Sequence, residues 1–226
     1  LVFSSVLLLF YFLPLVLIGH QLLPERARNG WLLAMSLVFY AWGVGGFVFV
    51  MLASAMANWR FGLGAEAARA AGNTQALRGW VIASAAVNVG LLAVFKYAGF
   101  AFDQINALSG FLGAAPLPAP EIVLPIGISF FTFQSMSYVF DAARGAAPAQ
   151  KSLLRFALYV ALFPQLVAGP IVRYAPVAAA LERRRLTRDG FTEGAERFAW
   201  GLIKKVVIAD ALAPVADAAF AAEPGS

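Results

Sequence analysis

Residues able to do chemistry are few in this sequence, and they stand where the surroundings are apolar. Ser129, Thr132, Gln134, Ser135, Ser137 and Tyr138 interrupt one apolar run, and Asp141 follows it. Side chains three, four and seven apart share a helix face. Gln134, Tyr138 and Asp141 meet that spacing and form a polar stripe. Such a stripe either packs helix against helix through polar contacts or lines a polar tunnel. A second set is Gln165 and Arg173, which bracket a stretch broken by Pro164, Gly169 and Pro170. A third is Lys204, Lys205 and Asp210, with Asp217 seven residues further on and on the same face. Ionisable groups within an apolar span are functional candidates by default, although Lys204 can reach an interface by snorkelling.

Several chemistries are excluded. His20 is the single histidine, it has no carboxylate near it in sequence, and it reads as an interfacial side chain. No serine–histidine–aspartate arrangement, metal-ligand spacing or phosphate-cradling glycine loop is present. Cysteine is absent, which removes disulfides and thiolate metal sites. Neither a metal nor a bound cofactor is expected.

The elements that must position these residues are membrane helices. Of the 226 residues, 61% are hydrophobic and 13% charged, and the mean hydropathy is +0.76. A globular domain is about 45–50% apolar and about 25% charged, so this chain has too little polar surface to cover itself in water. The net charge of +5 comes from basic residues in short loops between apolar runs, which orients spans rather than binding nucleic acid. A span needs about 20 apolar residues. Residues 3–23, 31–56, 80–95, 121–140, 153–172 and 198–222 are the apolar runs. The first has no basic segment before it and no small-residue cleavage site after it, so it reads as a helix and not as a signal peptide.

Charge then constrains the path. Arg26 and Arg28 precede the run 31–56, and the arginine-bearing stretch 60–78 follows it. Both flanks belong inside, so the run must enter and leave on one side, by a hairpin or re-entrant pair broken at residues 43–46. Arg144 and Lys151 likewise precede 153–172, with Arg155 at its start, and Arg173 and Arg183–Arg185 follow it. A single straight span would put one basic cluster outside, and a re-entrant segment turning around residues 164–170 keeps both inside; the other reading is a plain proline-kinked span. Residues 80–95 should form a span ended by Lys96 and Tyr97, with 99–120 outside. Asp189 should cap an interfacial helix that starts at Phe191 and pairs Glu193 with Arg197. The fold class expected is all-α, a polytopic membrane bundle with re-entrant segments and short interfacial helices. It forms one membrane domain over 1–226. The ends at Leu1 and Ser226 suggest part of something longer.

Six stretches recur in one known order: Val2 to Ser5, Phe39 to Trp42, Phe95 to Ala98, residues 124–145, residues 163–174 and residues 204–210. Together they resemble the membrane-bound O-acyltransferase family, and within it the bacterial alginate O-acetyltransferase branch, across essentially the whole chain. The resemblance implies O-acyl transfer, most naturally of acetyl. The donor would be acetyl-CoA or a carrier-linked acyl thioester on the cytoplasmic side. The acceptor would be an exported polysaccharide such as alginate, or a periplasmic carrier protein. The setting would be the bacterial inner membrane, with the lipid bilayer as a partner and no nucleic acid. It implies a tunnel that Ser129, Gln134, Tyr138, Asp141, Gln165 and Arg173 would line. The family's general base is a histidine in the C-terminal half of its members, to which His20 does not correspond. No catalytic residue is therefore expected among these 226 residues, and the chain should be inactive alone. Other readings of the broken helices are a transporter or channel and a non-catalytic subunit of a polysaccharide export complex.

Overall fold

The computed structural model describes residues 5–111, 113, 115, 117–118, 123–166, 171–182 and 187–221. Every regular element among them is helical. The chain divides into two compact bodies, residues 19–182 and residues 1–18 with 183–226.

The first helix opens with a π-helical segment, Leu8–Phe12, and continues as α1, Leu13–Leu22. In the wide turn Leu13 N–H donates to Leu8 O, just before Pro14, which has no N–H to continue the ordinary ladder.

In the larger body, α2 (Glu25–Val44) and α3 (Phe47–Ala70) are joined at Gly45, whose φ of 57° suits a residue without a Cβ. The expected break thus falls within residues 43–46. Its arms are two full helices of 20 and 24 residues and not a short hairpin inside 31–56. Side-chain bonds fix their directions. Asn29 Nδ2 donates to Leu181 O at 3.0 Å, Trp59 Nε1 to Gln150 O at 2.7 Å, and Ala149 N–H to Glu66 Oε1 at 2.9 Å. At the opposite end Tyr40 Oη donates to Ile126 O at 3.0 Å and the Phe39 and Phe163 rings lie 5.5 Å apart. The start of α2 and the end of α3 therefore share one end of the bundle, as the basic flanks require.

After a turn at Gly72 (φ 66°), α4 runs without interruption from Thr74 to Phe111, 38 residues. This corrects two expectations. Residues 60–70 belong to α3 and are not loop. The span 80–95 does not end at Lys96, because one charged residue removes no backbone hydrogen bond and no proline follows it before Phe111. At 1.5 Å per residue α4 is about 57 Å long, against about 30 Å of hydrocarbon. Both α3 and α4 are long and apolar enough to cross a membrane, and only 28% and 11% of their apolar stretches are buried within the protein. A soluble protein's core helix would be covered; these present apolar side chains outward. The molecule is an all-α membrane helical bundle.

Helix α5 (Ile128–Arg144) fills the centre. Its buried residues, among them Ile128, Phe131, Thr132, Gln134, Ser135, Tyr138, Val139 and Ala142, recur at three- and four-residue intervals. It starts later than the apolar run, because Pro125 and Gly127 (φ 80°) hold a turn ahead of it. A Cβ at Gly127 would lie 2.7 Å from Leu166 O, so glycine there admits the next segment. The helix stops at Gly145 (φ 73°), where Ala146 N–H donates to Asp141 O at 2.8 Å, the 6→1 bond of a left-handed cap.

Next come α6 (Leu153–Ala161), α7 (Phe163–Leu166) and α8 (Tyr174–Glu182). At nine residues, α6 is too short to cross. It leaves the basic end at Arg155, and α7 begins beside Ser36 and Phe39, partway along α2 toward the other end. By Glu182 the chain is back, 3.9 Å from Arg155. The segment doubles back as charge demanded. Its first break is at Leu162, two residues ahead of Pro164, which sits in the opening turn of α7. Gly169, Pro170, Arg183–Arg185 and the motif's first residues, Val2 to Ser4, lie outside the described residues.

In the smaller body, α9 (Arg188–Ile203) leads through a π-helical segment (Lys204–Ala209) into α10 (Asp210–Ala221). Its cap is Thr187, whose Oγ1 accepts from Gly190 N–H at 3.1 Å. Asp189 falls in the first turn instead, because the capping hydroxyl must precede the N–H it serves by two or three residues. The Glu193–Arg197 pair forms at 2.6 Å, and Lys205 pairs with Asp210.

Candidate functional site

The short helix α6 sets up the site by ending early. A helix leaves its last four carbonyls without intrahelical donors, and Leu162 turns away with ψ 113°. The carbonyl of Tyr159 is one of these. It accepts from Gln134 Nε2 of α5 at 2.8 Å and from Gln165 Nε2 of α7. Two glutamines from opposite sides of the break thus close the end of α6. Tyr159 Oη donates to Val172 O at 2.7 Å and lies 3.3 Å from Ser137 Oγ, which donates to Gln134 O at 2.8 Å. The descending arm is tied to the ascending one through this ring.

One turn or two further along α5, Asp141 is fully buried. Arg173 Nη2 donates to its Oδ1 at 2.7 Å, and Ala175 N–H donates to its Oδ2 at 3.3 Å. The carboxylate thereby caps α8 and opposes the positive end of that helix's dipole. Arg173 keeps 60% of its side chain exposed while Asp141 keeps none.

Between these two groups lies an aromatic cluster. Tyr138 packs on Phe156 (centroids 4.3 Å) and edge-on to Tyr174 (4.9 Å), and Tyr174 meets Tyr159 at 5.3 Å. Gly62 of α3 makes room for Tyr138, since a Cβ there would come within 2.1 Å of its ring. Tyr138 Oη and Ser135 Oγ are buried without a hydrogen-bond partner among the described residues. Both are hydroxyls able to donate and accept.

Five of the six sequence candidates come together here: Gln134, Tyr138, Asp141, Gln165 and Arg173. Ser129 is half-buried in the first turn of α5 and makes no side-chain bond to this network. Sequence reasoning passed over Tyr159, Tyr174 and Gln150, because nothing local distinguishes an aromatic that organises a break from one in a core. It also passed over a second cluster between α3 and α4. There Asn58 and Asn88 exchange amide bonds of 3.1 and 2.8 Å, and Ser84 Oγ donates to Asn58 Oδ1 at 2.8 Å, all fully buried. Asparagine inside an apolar helix was the available signal.

A cleft of about 730 Å³ opens beside the site at the basic end. Gln150 and Tyr174 form its floor, with Gln150 Nε2 donating to Tyr174 Oη at 3.4 Å. Lys151, Arg155 and Glu182 stand at its edge. The His20 side chain lies in the last turn of α1.

No family model matches the sequence, and no solved structure matches it. Curated proteins do. The chain is 44% identical to the probable alginate O-acetylase AlgI of Azotobacter vinelandii, over 97% of this chain and 44% of that protein. It is 43% identical to the protein of that name from Pseudomonas aeruginosa, over 97% and 42%. More distantly, it is 29% identical to the peptidoglycan O-acetyltransferase of Helicobacter pylori, over 97% and 46%. The chain spans less than half the length of each of these relatives. Relatedness over nearly the whole chain agrees with the ordered motifs in it, and the chain is a homologue of the alginate O-acetylases.

Proposed function

We propose that this chain forms the donor-side part of an O-acetyltransferase of the inner membrane, acting with further residues of the same protein. The observation that carries the reading is the 40–44% identity over 97% of the chain to proteins named alginate O-acetylase. The acceptor is a hydroxyl of an exported polysaccharide, alginate-like, reached directly or through a periplasmic acceptor protein. In the reaction the acceptor oxygen forms an ester bond to the acetyl carbon and the thioester C–S bond breaks. The hydroxyl proton passes to a general base and then to the leaving thiolate. A histidine beyond these residues is the base.

The described residues support the remaining roles. Lys151 leaves positive charge at the 730 Å³ cleft beside the Arg155–Glu182 pair, which suits the phosphates of acetyl-CoA or of a carrier-linked thioester. Behind it, Gln134, Gln165 and Tyr159 hold a non-helical turn at membrane depth, which is tolerated where backbone is buried in protein or lines a cavity. Tyr138 Oη and Ser135 Oγ, buried without a hydrogen-bond partner among the described residues, are free to donate to a thioester carbonyl, which supports a role for them in this reading.

The test is acetyl transfer by the full-length gene product in inverted membrane vesicles with labelled acetyl-CoA. Label appearing in polysaccharide or in a periplasmic acceptor is expected. Folded protein, partners present and no transfer would overturn the reading and favour a transport role.

A further inference from the structure

A second concavity, remote in character from the cleft above, lies between α4 and α5 and has a volume of about 430 Å³. Its walls are apolar: Val81 and Ile82 from α4, Phe140 and Ala143 from α5. Two arginines close one end, Arg78 from the first turns of α4 and Arg144 from the last turn of α5. A third, Arg69, lies beside them, with its guanidinium 3.0 Å from where a Cβ on Gly145 would stand. None of the three makes an ion pair among the described residues, and no carboxylate lines the groove.

We propose that this groove is a binding site for an anionic phospholipid of the bilayer. The apolar walls take an acyl chain, and Arg78 and Arg144, supported by Arg69, take the phosphate. Three facts carry this. Ile82 in its wall is 66% exposed, and α4 is the less covered of the two long helices, with 11% of its apolar stretch buried, so the groove opens to the medium that α4 meets. Its arginines stand at the basic end of the bundle, the depth at which phosphate headgroups of the inner leaflet lie. Guanidinium groups grip phosphate through paired N–H donors, and basic pockets between membrane helices on the cytoplasmic side hold acidic headgroups. A free phosphate would leave the apolar walls unused, and a zwitterionic lipid would leave the excess positive charge unanswered. The proposal does not depend on the acetyltransferase reading.

Native mass spectrometry of the full-length gene product in detergent tests it. The protein is offered equal amounts of dioleoylphosphatidylglycerol and dioleoylphosphatidylcholine. The glycerol lipid should be retained about tenfold or more in excess. Arg78→Gln with Arg144→Gln should bring the ratio close to one. Arg60→Gln with Lys96→Gln, a charge-matched pair outside the groove, should leave it unchanged. Ile82 is 66% exposed, so Ile82→Trp should fold and should displace lipid by filling the groove. A preference that survives the groove pair overturns the site, as does an equal loss in the control pair, which would indicate diffuse attraction. Lipid retention untouched by Ile82→Trp also overturns it, because the groove would then be covered by another part of the protein.

Discussion

The Asp141–Arg173 pair gives an ordered set of stabilities, because its two partners are buried so unequally. Asp141 is 0% exposed and Arg173 60% exposed across a 2.7 Å bond. Arg173→Ala leaves a carboxylate inside the bundle with one remaining donor, Ala175 N–H at 3.3 Å. Removing one partner of a buried pair costs about 3–5 kcal/mol. The exposed guanidinium contributes through screened charge, which reduces the figure to about 2–3 kcal/mol. Asp141→Asn is milder. The amide oxygen still accepts from Ala175 N–H, the freed arginine turns to solvent, and the loss is about 1 kcal/mol, that of one hydrogen bond. In the double variant no charge is left buried, so its cost should approach that of Asp141→Asn alone and fall short of the sum. For a chain of this size 1 kcal/mol moves the melting temperature by about 2–4 °C. In a full-length protein of the relatives' size, more than twice this length, the shift per kcal/mol is about half as large, so differential scanning fluorimetry in detergent should show drops of about 2–6 °C for Arg173→Ala and about 1–2 °C for Asp141→Asn. The double variant should melt with the latter. Strict additivity, or an Asp141→Asn drop larger than that of Arg173→Ala, would refute the account of a buried carboxylate held by an exposed cation.

Four further outcomes are expected. Gly62→Ala drives a methyl into Tyr138 and should cost about 1–3 kcal/mol by overpacking, whereas Gly43→Ala, with open space around it, should melt within a degree or two of the parent. Gln134→Leu removes a donor from Tyr159 O; acetyl transfer in vesicles should fall while membrane insertion, read by fractionation, stays at the parent level. Cysteines replacing Arg144 and Arg173 should both react with an impermeant maleimide from the same face of the membrane, and labelling from opposite faces would break the doubled-back path. Asn58→Leu strands Asn88 and Ser84 in a buried interface and should lower the melting temperature by more than Asn58→Leu with Asn88→Leu adds to it.

Much of the fold was legible because its causes are local. An apolar fraction of 61% has one stable setting. The adjacent pair Gly45 and Gly46 weakens a helix at that point, and basic flanks on both sides of a run require a return path. The misread boundaries share a reason too. Lys96 reads as the end of a span, yet a lone charge leaves the backbone ladder intact, and α4 continues to Phe111. Asp189 reads as a cap, but it falls inside the first turn, and Thr187 just ahead of the helix accepts from Gly190 N–H.

The candidate site divides in the same way. Sequence alone determined that Gln134, Tyr138 and Asp141 share one helix face, because helical periodicity is a property of a single segment. It also fixed that residues 153–172 could not be one straight helix, since Pro164 and Gly169–Pro170 deny the backbone its bonds. Only the tertiary structure decided what that face meets. Tyr159 O became an acceptor for two glutamines 31 residues apart because α6 stops there, and Arg173 reached Asp141 because the chain comes back past α5. Those partners depend on where non-local elements end and which way they turn, and no spacing along the chain carries that information.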